Sequence, residues 1–210
     1  MKTVIITGST RGIGYGLAQA FLSEGCAVMV SGRSQAGVDA ALESLRVTYP
    51  EAQVAGCPCD VTQLDALEGL WKAAVEEFGT VDVWINNAGI GHAQQMAWEL
   101  PEATLRSVIN VDLLGVFFGS QVAVRGMHEQ GGGIVYNMEG FGSDGSVRPG
   151  MSVYGAAKRA VRYYTRSLVK ETKDLPIQIG TLSPGIVITD FITDMYRDDP
   201  DGLEKSKKVF

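Results

Sequence analysis

Short apolar runs alternate with longer amphipathic stretches along this 210-residue chain. The runs with a strand-like pattern are 3–6, 26–31, 53–57, 81–85, 133–137 and 177–182. Helical periodicity covers roughly 14–24, 35–49, 63–78, 101–129 and 152–174. This alternation predicts an α/β protein with a doubly wound parallel sheet of the Rossmann type, in which ligands bind at the carboxyl ends of the strands. No repeat or linker interrupts the pattern, so we expect a single domain over 1–210.

Composition narrows the classes of function. The net charge is −6 and no Lys/Arg cluster occurs, which argues against nucleic acid as a partner. No apolar run approaches the roughly 20 residues that span a bilayer. Cys26, Cys57 and Cys59 include one Cys-x-Cys and no second pair, which is a poor zinc site, so no metal is predicted. The first strand begins too early for a leader peptide, and we expect a cytoplasmic protein.

A glycine-rich loop follows the first strand. It reads Thr7-Gly8-Ser9-Thr10-Arg11-Gly12-Ile13-Gly14. Glycines let the backbone turn tightly and approach a pyrophosphate, which the next helix binds through its N-terminal N–H groups. The G-x-x-x-G-x-G spacing differs from the usual G-x-G-x-x-G of dinucleotide sites. A structural turn without a ligand is the alternative interpretation.

Tyr154 and Lys158 are four residues apart in a predicted helix, so they lie on the same face. A phenol has an ordinary pKa near 10, and a neighbouring cation lowers that value. The pair therefore indicates a phenol that donates a proton while an ammonium stabilises the phenolate. The same spacing occurs by chance in many helices, so the glycine-rich loop is what gives it weight.

Together these motifs resemble the short-chain dehydrogenase/reductase family. Further matching segments are Asp60-Val61, Asn86-Asn87-Ala88-Gly89, Asn110 and Ser183-Pro184-Gly185 with Val187 and Thr189. The resemblance implies that Tyr154 protonates a carbonyl oxygen and that Lys158 binds the nicotinamide ribose and stabilises the phenolate. It implies that Asn110 holds a water connecting Lys158 to solvent, although a buried amide bridging two strands is the alternative. It also implies a homodimer or homotetramer.

The resemblance also assigns a set of cofactor-binding residues. They are Gly8, Ser9, Thr10, Arg11, Gly12, Ile13, Gly14, Arg33, Asp60, Val61, Asn87, Ala88, Gly89, Tyr154, Lys158, Pro184, Gly185, Val187 and Thr189. Family members that bind NAD have an acid at the end of the second strand, where this chain has Gly32. Arg33 and Arg11 can instead bind a 2′-phosphate, so we predict NADPH/NADP⁺. Solvated surface arginines are the alternative.

The carbonyl-polarising serine of the family is missing from its usual place. The family has a Ser-Ser pair about 13 residues before the tyrosine, where this chain has Phe141. An ionised Glu139 cannot donate to a developing oxyanion. Ser143 is therefore our candidate, with Ser146 or no serine as the alternatives.

The segment 137–145, which lacks the usual serine pair, also bears on the substrate. The run N-M-E-G-F-G-S-D-G followed by Y-G-A-A-K-R resembles the chlorophyll b reductase branch of the family. That resemblance implies NADPH-dependent reduction of the 7-formyl group of chlorophyll b to hydroxymethyl, and a location in the chloroplast stroma if the chain is a processed plastid protein. A generic carbonyl reductase and a catalytically impaired nucleotide-binding protein are the alternatives. His92 is interpreted as a loop histidine, although it could line the pocket.

Beyond the Pro-Gly segment, members of the family continue through a substrate lid, a further helix and a seventh strand. We assign 186–210 to the start of that lid. We expect that residues are missing after Phe210, and that the substrate pocket is incomplete in this sequence.

Overall fold

The computed structural model describes residues 1–185 and 187. Within them, the strands are β1 Thr3–Ile6, β2 Ala27–Gly32, β3 Val54–Pro58, β4 Val83–Asn86, β5 Gly133–Met138 and β6 Ile177–Leu182. The helices are α1 Gly12–Ser23, α2 Gln35–Thr48, α3 Leu64–Phe78, α4 Glu102–Ile109, α5 Gly115–Gln130 and α6 Ser152–Glu171. The prediction of a lid in 186–210, like that for Thr189, falls almost wholly outside the described residues.

All the described strands pair in parallel, in the order β3-β2-β1-β4-β5-β6. The order reverses at β1, which pairs with β2 on one side and β4 on the other. In an open parallel sheet the crevice at such a reversal, at the carboxyl ends of the strands, is where ligands bind. The predicted doubly wound Rossmann-type fold is confirmed.

Helices cover both faces of the sheet because the central strands β1 and β4 are largely apolar and buried along their whole length. All four residues of β1 are buried. Val4 and Ile6 belong to one core cluster, which includes side chains of α1 and α2. Ile5 points to the opposite face and joins a second cluster with Trp84 and side chains of α3 and α5. This is the continuous apolar pattern of a strand that is buried on both faces.

The stretch predicted as one helix over 101–129 is interrupted. Asn110–Leu114 forms a π-helical turn between α4 and α5. Such turns are rare and frequently occur at functional sites. The continuous stretch Glu102–Gln130 is long and apolar enough to cross a membrane by length and composition alone. In this fold α5 packs against α3 and β5, as a core helix does, so the stretch is weak evidence for a span.

Candidate active site

The glycine-rich loop and the turn after β4 are joined by hydrogen bonds. The side chain of Asn87 donates to the carbonyls of Thr7 and Gly8, at 2.8 and 3.1 Å. The hydroxyl oxygen of Thr7 accepts from the backbone N–H groups of Asn87 and Ala88, both at 3.0 Å. The two segments that carry the glycine and asparagine motifs therefore form one structure at the carboxyl edge of the sheet.

Glycine is required at two positions of this loop for different reasons. Gly8 has φ of +64°, in the left-handed region, and a Cβ there would lie 2.9 Å from Cα of Ala88. A Cβ on Gly14 would meet Nδ2 of Asn87 and the carbonyl oxygen of Gly8. The loop is therefore a concave backbone surface at the N-terminus of α1, which fits the pyrophosphate of a nicotinamide cofactor.

The other predicted cofactor residues of the glycine-rich loop differ in how far they are buried. Ser9 is buried, and its hydroxyl donates to the carbonyl of Ile6 at 2.7 Å and accepts from the N–H of Ser31 at 2.9 Å. Thr10 and Ile13 are half-buried, whereas Arg11 and Gly12 are exposed at the start of α1. Ser9 therefore connects the loop to β2, and Arg11 lies on its solvent side.

The end of β2 has little room for an acidic side chain. A Cβ on Gly32 would lie 2.6 Å from the methyl carbon of Thr10. The next residue, Arg33, is exposed, and α2 begins two residues later. Nearby, Asp60 accepts hydrogen bonds from the N–H and hydroxyl of Thr62. Val61 is buried.

The segment after β6 supplies the last predicted cofactor residues. Pro184 is half-buried, and Gly185, with φ of +68°, is exposed. Val187 is 41% exposed. The N–H of Glu139 donates to the carbonyl of Leu182 at 2.8 Å, which fixes the start of this segment beside the end of β5.

Tyr154 and Lys158 lie together in the first half of α6, and both are buried. Nζ of Lys158 is 5.7 Å from the centroid of the Tyr154 ring and donates to the carbonyl of Met138 at 3.5 Å. The predicted lowering of the Tyr154 pKa is not observed. Burial raises the pKa of the phenol, and the charge of Asp112 raises it further. Desolvation is the larger of these two causes.

Gly140 is the residue that faces the phenol. A Cβ on Gly140 would meet Oη of Tyr154 and lie 3.3 Å from Cγ of Lys158. The hydroxyl of Ser143 is turned to the backbone instead, where it accepts from the N–H of Gly140 at 3.1 Å and donates to the carbonyl of Lys158 at 3.3 Å. The Ser143 hydroxyl is thus occupied by backbone groups, and its role in polarising a carbonyl stays a prediction. Ser146, the alternative, is exposed and bonds to Asp144.

The role predicted for Asn110 stays a prediction, and the structure gives only its position. Asn110 is exposed at the start of the π turn, whereas Asp112, two residues later, is fully buried. Oδ1 of Asp112 accepts from the N–H of Ile90 at 2.7 Å. Oδ1 of Asp112 and Nζ of Lys158 each lie 3.5 Å from the point where a Cβ on Gly89 would be. The carboxylate of Asp112 and the ammonium of Lys158 therefore border the same space beside Gly89.

Two residues of this site were missed at the sequence level, Asp112 and Gly140. Burial raises the pKa of Asp112 to about 6. Three effects oppose that rise, in decreasing order: the charge of Lys158, the hydrogen bond from the N–H of Ile90, and the charge of His92. The sequence carries one signal for Asp112, because it is the single acid in the largely apolar segment 108–118. An acid in such a run is buried only when it has partners.

The sequence of this chain is similar to those of known dehydrogenases and reductases. The family model for short chain dehydrogenases matches residues 2–200. A probable chloroplastic chlorophyll(ide) b reductase of Arabidopsis thaliana is 36% identical over an alignment of 207 residues, which covers 91% of this chain and 42% of that protein. A chloroplastic chlorophyll(ide) b reductase of Oryza sativa subsp. japonica is 37% identical over an alignment of 194 residues, which covers 90% of this chain and 57% of the relative. The chain thus spans about half the length of these relatives.

Other relatives are matched over more of their length. Levodione reductase of Leifsonia aquatica is 30% identical over 210 residues, all of this chain and 78% of that protein. A levodione reductase crystal structure superposes with a TM-score of 0.89 at 31% identity, covering 97% of this chain and 79% of the other. A Burkholderia phymatum family member in complex with NAD gives 0.85 at 27% identity, covering 96% and 71%. The sequence match and the shared fold establish that this chain belongs to the short-chain dehydrogenase family of oxidoreductases.

Proposed function

We propose that the chain reduces an aldehyde or ketone carbonyl with NADPH. The observation that carries the proposal is the buried Tyr154–Lys158 pair, which lies beside the Asn-Asn-Ala-Gly turn and at the carboxyl edge of the sheet. When bound, the nicotinamide supplies the hydride. The protein must then supply a proton to the carbonyl oxygen and hold the carbonyl carbon close to the nicotinamide in the orientation for hydride transfer.

Tyr154 is the proton donor in this proposal. Its raised pKa keeps the phenol protonated near neutral pH, so the proton is available for transfer to the carbonyl oxygen. Lys158 is fixed by the carbonyl of Met138 and lies against the Tyr154 ring, so its positive charge stabilises the phenolate as it forms. Because both side chains are buried, this interaction is little screened by water.

The preference for NADPH is supported by the end of β2. An acidic side chain at position 32 would repel a 2′-phosphate. The methyl group of Thr10 occupies the space that such a side chain would need. Arg33 is exposed at the adjacent position, and Arg11 is exposed at the start of α1. A guanidinium forms two parallel hydrogen bonds with a phosphate, which makes it well suited to this role.

Replacing Arg33 by Gln is expected to weaken NADPH binding about 10- to 100-fold, because a hydrogen bond to a charged group contributes roughly 1.5–3 kcal/mol. NADH binding is expected to stay unchanged, since NADH has no 2′-phosphate. Fluorescence titration with both dinucleotides measures the two dissociation constants. Lys72→Gln, which removes an exposed positive charge on α3, is the matched control. Equal losses for NADPH and NADH in Arg33→Gln would contradict the assignment.

The substrate we propose is the 7-formyl group of chlorophyll b, which is reduced to hydroxymethyl. The named activity of two relatives and the Met-Glu-Gly turn after β5 support this choice. Gly140 belongs to this turn, and its lack of a side chain lets the phenol of Tyr154 pack against the backbone there, because a Cβ would meet Oη. An aldehyde also needs less electrophilic activation than a ketone, so the missing serine matters less.

NADPH and solubilised chlorophyll b are expected to react in the presence of the full-length protein, converting the formyl pigment. The pigment spectrum and NADPH absorbance are followed together, and Tyr154→Phe serves as the inactive control. Consumption of NADPH with small aldehydes but not with the pigment would reject chlorophyll b and keep carbonyl reduction. Tight NADPH binding without turnover of any carbonyl would instead support a catalytically impaired nucleotide-binding protein.

A small ketone or aldehyde is the second candidate substrate. One observation favours it, because this chain spans 78% of levodione reductase but only 42% of the Arabidopsis thaliana relative. A 3alpha-hydroxysteroid dehydrogenase of Mediterraneibacter gnavus is also 35% identical over 191 residues and is covered over 76% of its length. A panel of cyclic ketones and steroids, assayed beside chlorophyll b, separates the two.

A homodimer or homotetramer is the assembly we propose. The support is the resemblance to the family, together with two large apolar side chains that α6 leaves exposed, Tyr163 at 76% and Val169 at 45%.

A further inference from the structure

A tight turn follows β5 and lies against the phenol of Tyr154. The N–H of Ser143 donates to the carbonyl of Gly140 at 3.1 Å, which closes a four-residue turn. Gly142, the third residue of this turn, has φ of +92°, a conformation that glycine adopts readily. Because a Cβ on Gly140 would meet Oη of Tyr154, the first residue of the turn is in close contact with the proposed proton donor.

Ser143 attaches this turn to α6 through its hydroxyl and its carbonyl. Ser143 is 3% exposed. Its hydroxyl accepts from the N–H of Gly140 at 3.1 Å and donates to the carbonyl of Lys158 at 3.3 Å. Its own carbonyl accepts from Nη1 of Arg159 at 2.8 Å. Ser143 therefore connects Gly140 to the helix that carries Tyr154 and Lys158.

The backbone of the turn also packs directly on α6. A Cβ on Gly142 would lie 2.6 Å from Cα of Gly155, the residue that follows Tyr154. Just before the turn, Glu139 is buried, and its Oε1 lies 3.6 Å from Nε of Arg162. A buried carboxylate requires such a partner. The segment is thus held to α6 at both of its ends, beside Glu139 and at the carbonyl of Ser143.

We propose that Ser143 and Arg159 are positioning residues, which hold Gly140 against the phenol of Tyr154 and so fix Oη in place for proton transfer. The inference rests on the proposed carbonyl reduction. Ser143 acts through its hydrogen bond to Gly140, and Arg159 acts through the carbonyl of Ser143. This role differs from polarisation of a carbonyl by a serine hydroxyl, because neither side chain has to touch the substrate.

The turn controls both the position of the phenol and its contact with water. Proton transfer requires the donor within hydrogen-bond reach of the carbonyl oxygen, and a misplacement of about 1 Å can cost roughly 10²-fold in rate. Tyr154 is 7% exposed, and the backbone at Gly140 covers part of it. A turn that detaches from α6 therefore frees Oη to move and lets water reach it.

The pH dependence that follows has a defined sign. Burial raises the pKa of Tyr154, so loss of burial lowers it. Carbonyl reduction requires the protonated phenol, and kcat for reduction therefore falls as the pH rises through that pKa. In variants with a detached turn, we expect this fall to begin at a lower pH than in the wild type.

Steady-state kinetics with any carbonyl that the wild type reduces test the proposal. Ser143→Ala and Arg159→Met are each expected to lower kcat about 10- to 100-fold, with the fall at high pH shifted to lower pH. NADPH affinity is expected to stay near the wild-type value, which also shows that each variant is folded. Arg159→Lys keeps a donor for the carbonyl of Ser143 and is expected to restore most of kcat. Because both residues act through one turn, the double variant is expected to be no slower than the slower single variant.

Arg166→Met, which replaces an exposed arginine of the same helix, is the matched control and is expected to keep the wild-type kcat. Direct polarisation of the carbonyl by Ser143 predicts a different pattern, in which Ser143→Ala is slow and Arg159→Met is as fast as the wild type. That pattern, or multiplied losses in the double variant, would overturn the proposal. If Ser143→Ala does not fold, the two Arg159 variants decide the question, because Arg159 is exposed.

A titration of the cofactor-free protein tests the contact without turnover. The ¹³C shift of Cζ of Tyr154 is followed by NMR from pH 7 to 11, with Tyr154→Phe to assign the signal. The phenol is expected to begin to ionise at a lower pH in Ser143→Ala and Arg159→Met than in the wild type. Identical titrations in all three proteins would overturn the positioning role. Shifted titrations in a protein that reduces no carbonyl would support the contact with the turn and reject the proposed function.

Discussion

The substitution Tyr154→Phe is expected to lower kcat for carbonyl reduction by roughly 10²–10⁴ while leaving NADPH affinity nearly unchanged. The change removes only Oη, and the ring that packs against Lys158 stays in place. With no phenol, the carbonyl oxygen must take its proton from water that reaches a buried site. The loss therefore belongs to the chemical step and not to cofactor binding.

Single-turnover measurements with saturating NADPH separate these two effects, because they follow hydride transfer apart from product release. Tyr163→Phe is the matched control, since Tyr163 lies on the same helix and is 76% exposed. Its removal of a hydroxyl from α6 is expected to leave kcat at the wild-type value. A Tyr154→Phe enzyme with more than about a tenth of wild-type kcat would show that another group protonates the substrate.

Most of the fold was predictable because its signals are local. A strand buried on both faces is a nearly continuous apolar run, as at Val4, Ile5 and Ile6 of β1, and stretches with helical periodicity separate such runs. The turn chemistry was equally local, since Gly8 and Gly14 are required by the backbone itself. These features depend on neighbours in the sequence, so the observed strand bounds differ from the predicted ones by at most a few residues.

The identity of the group facing Lys158 was not predictable from spacing. A π turn holds more residues per turn than an α-helix, so it changes which side chain points at the site. The motif predicted Asn110 at the site, and within the π turn Asn110–Leu114 the structure leaves Asn110 exposed and buries Asp112. The same limit applies to Ser143, because a loop decides whether a hydroxyl meets the phenol or the backbone.

The pKa values of the site also depend on how deeply its groups are buried, which cannot be obtained from the sequence alone. The spacing of Tyr154 and Lys158 predicted a lowered phenol pKa, yet burial and Asp112 raise it. A pKa reflects the balance of desolvation and charge, and both depend on the three-dimensional surroundings. A buried carboxylate beside the lysine changes that balance, and it could be found only in the folded chain.

Gly14→Ala is expected to lower the free energy of unfolding by about 1–3 kcal/mol or more, because the added methyl group meets atoms that cannot move aside. Two of the three nearest atoms, the carbonyl oxygen of Gly8 and Cα of Ser9, belong to the backbone of the same loop. The third is Nδ2 of Asn87, which connects that loop to the turn after β4. Displacing the loop also weakens NADPH binding, by about tenfold for each 1.4 kcal/mol of distortion.

Gly16→Ala separates this local effect from the general effect of alanine in a helix. Gly16 lies two residues further along α1, and a Cβ there meets nothing within 4 Å. The control is therefore expected to stabilise the protein by roughly 0.5–1 kcal/mol, because alanine loses less backbone entropy than glycine in a helix. Denaturant unfolding and NADPH titration of both variants give the comparison. If Gly14→Ala matched Gly16→Ala in stability and affinity, the clash of an added Cβ with Gly8, Ser9 and Asn87 would no longer explain the glycine at position 14.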